Sequence, residues 1–244
     1  MKIENKIINF IRAEAKSASG IVVGMSGGID SSVVASLCVK ALGNRRVTAL
    51  IMPEHEVTML RDVNDAKQLA SELNIRCYIY PIDGILSAII KCQPLDDKKT
   101  LGNAKARARM ILLYAYANMH HYLVAGTGNK SELLTGYFTK YGDGGVDFLP
   151  IADLYKTEVI KLAKHLGIPK AIIDKTPTAG LWRGQTDEDE LGMSYAELDA
   201  ILKGDKKQPA KVKKVKELME KSHHKRTLPK ICMIHESHST LKSR

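Results

Sequence analysis

The stretch GMSGGIDSS, residues 24–32, joins a predicted strand, IVV, to a predicted helix that contains VVASLCVKAL. Its adjacent glycines, Gly27 and Gly28, allow positive φ and let a ligand come close to the backbone. Exposed amides at the start of a helix attract anions. The stretch therefore predicts a phosphate-binding turn at a strand-to-helix junction, which is typical of α/β proteins.

This turn differs from the phosphate loop of kinases and GTPases. It lacks the lysine and hydroxyl that end G-x-x-x-x-G-K-[ST], and it contains an acid, Asp30. A carboxylate beside a phosphate would repel it unless a cation lay between them, so Asp30 indicates a Mg²⁺ site. The alternative is a plain glycine turn in which Asp30 caps the helix.

Strand and helix patterns alternate outward from the turn. An amphipathic helix is predicted around Ile7 to Ala15, before the first strand. The remaining pattern predicts strands at 20–24, 47–52, 75–80 and 121–126, with helices at 58–74 and 103–120. Strands separated by helices form right-handed βαβ units. We expect one α/β domain, residues 1–244, built on a doubly wound parallel sheet flanked by helices.

Ligands bind outside the carboxyl ends of the strands in such sheets. Residues 26–30 and 126–129 both fall there. Two other segments, 93–102 and 176–194, combine glycine, proline or clustered charge and are predicted to be surface loops. Loops over the ligand end of a sheet often act as lids, so we expect mobility near 178–190 and, more weakly, near 93–100.

Composition limits the function classes. The formal net charge is +10 and the pI is near 9.3, which favours an anionic partner: nucleic acid, a membrane surface or a phosphorylated small molecule. Many of the lysines follow residue 202 and are predicted to form the solvated face of a helix that packs through Val212, Val215, Leu218 and Met219.

The four cysteines are far apart and form no C-x-x-C pair, which excludes a zinc knuckle or a dithiol motif. We expect reduced thiols in a cytoplasmic protein. Neither a signal peptide nor a transmembrane segment is predicted, because charges interrupt the apolar runs.

Several motifs resemble those of a known family. SGGIDSS resembles the S-G-G-x-D-S signature of the PP-loop ATP pyrophosphatases, which cleave ATP to AMP and pyrophosphate to activate a carbonyl or carboxylate. Residues 126–159 resemble the central signature of NAD⁺ synthetases, and NAKARARM, KTPTAGLW, DELGMSYAELD and HHKR occur in that family's order. The resemblance covers residues 20–230 and implies an adenine nucleotide α hydrolase-like, Rossmann-like fold.

The reaction implied by the resemblance is the final step of NAD biosynthesis. A carbon–nitrogen ligase amidates nicotinate adenine dinucleotide (deamido-NAD) with ammonia, cleaving ATP and passing through an adenylated carboxylate. Such a site needs charge neutralisation more than a protein nucleophile. Because 244 residues leave no room for an amidase domain, ammonia is the implied nitrogen source. The resemblance also implies a homodimer with a shared dinucleotide site, and neither nucleic acid nor membrane as a partner.

The resemblance further implies roles for individual residues. The implied ATP contacts are Gly24, Met25, Ser26, Gly27, Gly28, Ile29, Asp30, Ser31, Thr127, Lys156 and Thr178. The implied deamido-NAD contacts are Arg107, Lys140, Asp147, His224 and Lys225. The implied Mg²⁺ ligands are Asp30 and Glu132, and the implied catalytic residues are Asp30, Glu132, Lys156 and Asp143.

Each of these residues also has a plainer interpretation. Glu132, three residues after Asn129, suits a helix cap, and a lone lysine such as Lys156 is usually solvated. Asp143 is a candidate for taking a proton from ammonium, or it forms a turn before two glycines. Arg107 and Arg109 lie on opposite sides of a helix, so only one of them is expected to face the site.

Two rival functions are weighed against the synthetase. A PP-loop enzyme acting on RNA, such as a tRNA thiolase or a lysidine synthetase, suits the positive charge. The paired cysteines of the thiolases are absent, and no appended RNA-binding domain fits. A regulator that binds ATP without chemistry would not need Asp30, Glu132 and Lys156 together.

Overall fold

The predicted strands form one parallel sheet in the structure, a computed structural model that describes residues 2–232 and 234. The strands are β1 (Gly20–Gly24), β2 (Val47–Ile51), β3 (Arg76–Ile79) and β4 (Tyr122–Ala125). Their order is β3-β2-β1-β4, and every neighbouring pair is parallel. The predicted strand positions are confirmed to within one residue at each end.

Eleven α-helices connect and cover these strands in the described part of the chain. They are α1 (Lys2–Glu14), α2 (Ile29–Leu42), α3 (Leu60–Glu72), α4 (Asp83–Cys92), α5 (Lys98–His120), α6 (Lys130–Thr135), α7 (Lys156–Leu166), α8 (Lys170–Ile173), α9 (Asp187–Leu191), α10 (Tyr195–Leu202) and α11 (Pro209–Lys221). Short 3₁₀ turns lie at Asn44–Arg46 and His223–Lys225.

The sheet is covered on both faces, as its apolar strands require. Ile21 and Val23 of β1 pack into the core beneath α1, α2, α3 and α7, whereas Val22 and Val124 pack into the core beneath α4 and α5. All four side chains are fully buried. Successive strand residues point to opposite faces, so a strand buried on both sides is apolar at every position. The doubly wound α/β prediction is confirmed.

A smaller apolar cluster lies beyond the sheet, where α10 packs against α6, α7 and α11. Its buried members include Leu191, Tyr195, Leu198 and Val215. Val215 belongs to the lysine-rich helix α11, and Leu218 and Met219 pack partly buried beside it. The predicted amphipathic character of this helix is confirmed.

Both predicted loops are shorter than expected. Residues 98–102 are the first turns of α5, because Asp97 caps that helix by accepting a hydrogen bond from the Thr100 amide (2.8 Å). Residues 187–191 form the short helix α9, which Thr186 caps through the Asp189 amide. Clustered charge resembles loop composition, but at both places it follows an N-cap residue and continues as helix.

The strand order determines where a ligand can bind. The chain moves from β1 to β2 and β3 on one side, and β4 adds on the other side of β1. The connections after β1 and β4 therefore diverge and leave a crevice at the carboxyl ends of these two strands. Among the described residues, no helix is both long and apolar enough to span a bilayer.

Candidate functional site

A cavity of about 1770 Å³ opens at this crevice. Its walls come from the turn after β1, the turn after β4, one face of α5 and the segment 174–187. Drug-sized ligands occupy pockets of roughly 300–1,000 Å³. The cavity is therefore large enough for more than one nucleotide-sized substrate.

The glycine turn after β1 is shaped by close backbone packing. Gly27 has φ +77°, and a Cβ there would lie 2.3 Å from the Asp62 carbonyl oxygen of α3. Only glycine fits this conformation and this contact. The Ser31 hydroxyl donates to the Gly28 carbonyl oxygen (3.1 Å), and the Gly28 amide donates to Ser26 Oγ (3.2 Å).

A lysine from a distant part of the sequence holds this turn. Lys175 Nζ donates to the Gly27 carbonyl oxygen (2.8 Å), Asp62 Oδ1 (2.7 Å) and Asp65 Oδ2 (2.8 Å). Its side chain is 17% exposed. Lys175 therefore ties the glycine turn to α3 and fixes the direction in which the turn presents its amides.

Beside the turn, two carboxylates share one buried ammonium. Lys156 Nζ lies 2.5 Å from Asp30 Oδ2 and 3.3 Å from Glu132 Oε1. The lysine side chain is only 3% exposed. Asn129 Nδ2 donates to Asp30 Oδ1 (3.0 Å), which links the turn after β4 to the turn after β1. Asp30 therefore bonds to Lys156 and Asn129 on the other side of the crevice. It does not cap α2, because no side chain forms a cap hydrogen bond at the N-cap residue Gly28.

Glu132 combines a capping role with a place in the cavity. Its Oε2 accepts the Asn129 amide (3.1 Å), and Asn129 Oδ1 accepts the Glu132 amide (3.1 Å), which is a capping box for α6. The other carboxylate oxygen, Oε1, faces Lys156. The cap holds the side chain so that one oxygen remains directed at the cluster.

When both carboxylates are ionised, the cluster of Asp30, Glu132 and Lys156 carries one excess negative charge. Burial acts to lower the pKa of Lys156, but the charges of Asp30 and Glu132 outweigh it and raise that pKa. Burial and the charge of Asp30 raise the pKa of Glu132 to about 8, and the opposing charge of Lys156 offsets them only in part. A bound cation would neutralise the carboxylate charge that Lys156 leaves over.

The cluster suits Mg²⁺ held jointly with phosphate. Mg²⁺ prefers oxygen ligands and usually takes one or two carboxylates together with substrate phosphates and water. Asp30 and Glu132 supply two carboxylates beside the glycine turn. No group of three acidic, histidine or cysteine side chains within residues 2–232 and 234 forms a complete metal cage. This is the donor set expected when phosphate oxygens complete the shell.

Comparison with known proteins agrees with this geometry. The family model described as NAD synthase matches residues 3–229. The chain belongs to the NAD synthase family. It is 50% identical to the NH(3)-dependent NAD(+) synthetase of Archaeoglobus fulgidus over 241 residues, which covers 96% of this chain and 98% of that protein. It is 49% identical to the enzyme of that description from Pyrococcus horikoshii, with 93% of each chain covered.

Solved structures of NAD synthase relatives share the fold. An NMN synthetase from Francisella tularensis superposes with a TM-score of 0.89 at 42% identity, covering 95% of this chain and 97% of that one. An NH3-dependent NAD synthetase from Campylobacter jejuni, in complex with the nitrate ion, has a TM-score of 0.81 at 38% identity, with 95% and 98% covered.

In this NAD synthase, the ATP contacts implied by the sequence surround one space. All of them except Gly27 line the cavity, and so do Glu132 and Asp143. Thr127 follows β4, and Thr178 belongs to the segment 174–187, where its hydroxyl accepts the Gly180 amide (3.0 Å). Four distant sequence segments are therefore brought together, although the individual ATP contacts stay predictions.

The implied dinucleotide contacts fall into two groups. His224 and Lys225 line the cavity, whereas Arg107, Lys140 and Asp147 do not. Arg107 donates to the Lys140 carbonyl oxygen (3.3 Å), and Lys140 Nζ donates to the His224 carbonyl oxygen (2.7 Å), so these three form a chain of neighbours. Asp147 instead accepts the Val124 amide beside β4 (2.7 Å).

Arg109, not Arg107, lines the cavity on α5. Its Nε donates to the Met52 carbonyl oxygen (3.0 Å), and burial lowers its pKa. The Asp143 residue is exposed at the surface, but neighbouring groups desolvate its carboxyl and raise the pKa, and its Oδ1 accepts the Thr139 amide (2.8 Å). The turn-forming interpretation of Asp143 is thus observed, and its role as a base stays a prediction.

Sequence reasoning missed several cavity residues. Lys175, Tyr137 and Asp187 line the cavity, and Tyr195 packs beside Lys156, whose Nζ lies 5.0 Å from the ring centroid. Lys175 begins the KTPTAGLW segment, and this proximity to the implied ATP contact Thr178 was an available signal. Tyr137 and Tyr195 lie in segments that carry the family resemblance, and Asp187 lies in the predicted loop 176–194, but nothing in those segments singled out these three side chains.

Proposed function

We propose that this chain is an ammonia-dependent NAD⁺ synthetase, which uses ATP to amidate deamido-NAD to NAD⁺ with release of AMP and pyrophosphate. The observation that carries the proposal is the buried Asp30–Glu132–Lys156 cluster beside the glycine turn, in a chain of the NAD synthase family. That cluster provides carboxylates and a cation at one point of a cavity large enough for both nucleotides.

The chemistry proceeds in two displacements. A carboxylate oxygen of deamido-NAD attacks the α-phosphorus of ATP, and the bond to pyrophosphate breaks. The resulting acyl adenylate is attacked at its carbonyl carbon by ammonia; the C–O bond to AMP breaks and the excess proton leaves the nitrogen. Lys156 and the amides of the glycine turn offset the charge on the phosphates, which is the main need of phosphoryl transfer.

Asp30 and Glu132 are the residues that would hold Mg²⁺. When bound there, the ion would neutralise phosphate charge and orient the pyrophosphate leaving group. Asp143 is a candidate for taking the proton from ammonium, since it lines the cavity and desolvation by neighbouring groups raises the pKa of its carboxyl.

A homodimer forms part of the proposal. Arg107 and Lys140 lie outside the cavity of a single chain, so a dinucleotide that reaches them would extend toward a second copy. The outer side of β3, α4 and α5 exposes large apolar side chains: Tyr78, Ile79, Tyr80, Ile90, Ile111 and Met119. Surfaces of this kind are typical of subunit interfaces.

We also propose that residues 1–244 form one domain, which the family match over 3–229 supports. A cytoplasmic location is supported by the four cysteines, Cys38, Cys77, Cys92 and Cys232, which are all free thiols.

A second candidate is amidation of the deamido mononucleotide. The high TM-score to a protein described as an NMN synthetase favours it. Both reactions require the same cluster and differ only in how far the substrate extends from it. The roughly 50% identity to NH(3)-dependent NAD(+) synthetases favours the dinucleotide.

One assay distinguishes the candidates. The purified chain is mixed with ATP, Mg²⁺ and ammonium, and with either deamido-NAD or nicotinate mononucleotide. NAD⁺ is detected by reduction to NADH with alcohol dehydrogenase, and NMN by chromatography. We expect NAD⁺ from the dinucleotide, AMP and pyrophosphate in equal amounts, and no comparable turnover with glutamine replacing ammonium. Preferred turnover of the mononucleotide would establish the second candidate, and ATP cleavage that depends on tRNA would contradict both.

A further inference from the structure

The carboxylate of Asp199 lies buried at the start of helix α7 and takes no part in the proposed chemistry. It is 2% exposed. Its Oδ2 accepts the Thr157 amide (2.9 Å), and its Oδ1 accepts the Ser131 hydroxyl (2.5 Å). Burying a charge is costly unless hydrogen bonds compensate for the lost water. Here the two uncharged donors and the positive end of α7 provide that compensation.

Ser131 connects Asp199 to the lysine of the reacting cluster. The Ser131 hydroxyl donates its single hydrogen to Asp199, and its oxygen accepts the Lys156 amide (3.0 Å). Lys156 and Thr157 are the first two residues of α7. Amides in the first turn of a helix have no carbonyl partner within the helix. Ser131 and Asp199 supply the missing acceptors, so they fix the place where α7 begins.

The same contacts fix Lys156 relative to the two carboxylates of the cluster. Ser131 directly precedes Glu132 in α6, so its hydrogen bond ties the start of α6 to the start of α7. Lys156 Nζ lies 2.5 Å from Asp30 Oδ2 and 3.3 Å from Glu132 Oε1. A shift at the start of α7 would therefore change both distances.

Helix α10 supports Lys156 at two points. Tyr195 and Asp199 are four residues apart, so they lie on the same face of α10. The Tyr195 ring centroid lies 5.0 Å from Lys156 Nζ, and the Tyr195 hydroxyl donates to Asp187 Oδ2 (2.9 Å). Asp199 holds the main chain of the lysine through Ser131. One face of α10 thus contacts the charged end of this lysine and supports its backbone.

We propose that Asp199 is a positioning residue for the amidation reaction and acts through Ser131 and the start of α7 to hold Lys156 at the reacting cluster. The inference rests on the proposed function, because that reaction is the one to which Lys156 is assigned. In the described part of the chain, neither Asp199 nor Ser131 belongs to the cavity lining, so they act through Lys156 without touching substrate. Misplacing a reacting group by about 1 Å can lower a rate about 100-fold.

The test separates positioning from stability. Asp199→Asn removes the charge and one acceptor oxygen, and Ser131→Ala removes the link to the Lys156 amide. The matched control is Glu197→Gln, a carboxylate on the same helix that pairs with Lys211 (2.6 Å) away from the cavity lining. Calorimetry gives the melting temperature of each protein. The kcat and the KM for ATP and for deamido-NAD are then measured well below that temperature.

We expect Asp199→Asn and Ser131→Ala each to lower kcat about 10- to 100-fold, while both KM values stay within about 3-fold of the wild type. The double variant should match the slower single variant, because either change breaks the same connection. Glu197→Gln should keep the wild-type kcat even where its melting temperature falls. Wild-type kcat in Asp199→Asn would overturn the inference and leave Asp199 a structural residue. Losses that multiply in the double variant would also overturn it, because the two side chains would then act separately.

Ser131→Ala decides the matter if Asp199→Asn does not fold, because it keeps the bond between Asp199 and the Thr157 amide. Wild-type kcat in this variant would contradict the positioning role. Failure of the proposed function gives a different result, since the wild-type chain would then make no NAD⁺. A crystal structure of Ser131→Ala still tests the connection in that case: Lys156 displaced from Asp30 supports it, and an unmoved Lys156 contradicts it.

Discussion

Replacing Lys156 by methionine should destabilise the substrate-free protein and nearly abolish its activity. The Lys156 side chain is 3% exposed, and its Nζ is the cation nearest both Asp30 and Glu132 in the described contacts. Removing one partner of a buried ion pair costs about 3–5 kcal/mol, because the other charge is left unpaired. Because its pKa is raised to about 8, Glu132 already holds a proton at neutral pH, so Asp30 alone is left unpaired and we expect about 2–3 kcal/mol.

At about 2–4 °C per kcal/mol for a chain of this size, the melting temperature should fall by about 5–10 °C. Calorimetry without Mg²⁺ or nucleotide measures it. The matched control is Lys161→Met, an exposed lysine on the same helix, α7, which should melt with the wild type. Adding Asp30→Asn to Lys156→Met should recover part of the loss, because the carboxylate left without its ammonium partner is removed.

Activity supplies the second readout. Losing a group that stabilises transition-state charge costs about 10²–10³ in kcat, so Lys156→Met should retain under about 1% of turnover with saturating substrates. If Lys156→Met and Lys161→Met melted together and kept comparable kcat values, the buried cluster would not exist in solution and the reasoning from it would fail.

Three further predictions follow from the same site. The pKa of Glu132 is raised from its ordinary 4.5 to about 8 in the folded state, so the unfolding free energy of the metal-free protein should fall as pH rises from about 5 to 8. Chemical denaturation at several pH values measures this, and the fall should be smaller in Glu132→Gln. An equal fall in both proteins would count against the raised pKa. Gly27→Ala should lower the unfolding free energy by at least about 1–2 kcal/mol and raise the KM for ATP, because the positive φ and the Asp62 carbonyl oxygen both oppose a Cβ. Denaturant titration measures the first effect, and wild-type values of both quantities would show that the turn can move freely. Hydrogen exchange in residues 178–186 should slow when ATP and deamido-NAD are both bound, and equal strong protection around Trp182 with and without ligands would identify a permanent loop instead of a lid.

Specific contacts in the structure hold the predicted lid around residues 181–183. Lys105 Nζ donates to the Leu181 carbonyl oxygen (2.8 Å) and lies 2.8 Å from Glu54 Oε2, and Arg183 donates to the Glu56 carbonyl oxygen (2.6 Å). These contacts hold the segment over the cavity. The exchange experiment therefore measures how readily they open.

Local patterns were sufficient for the sheet and for the glycine turn. A strand buried on both faces is apolar at every position, and a turn with positive φ needs glycine, so both features appear in short stretches such as 20–28. The N-terminal starts of α5 and α9 were less predictable. The charged residues that follow their N-cap residues have the same composition as a surface loop, so composition alone does not show that a helix begins there.

The sequence by itself also determined the family, and it predicted Asp30, Glu132 and Lys156 as site residues because the motifs that contain them are specific; the structure brings their side chains together. Only the tertiary structure decided that Arg109, and not Arg107, faces the cavity, since both belong to one helix and the choice depends on how α5 lies against the sheet. Tertiary structure alone likewise brought Lys175 onto the Gly27 carbonyl oxygen and Asn129 onto Asp30. Partners such as these are distant in the chain, and no local pattern records which of them will meet in space.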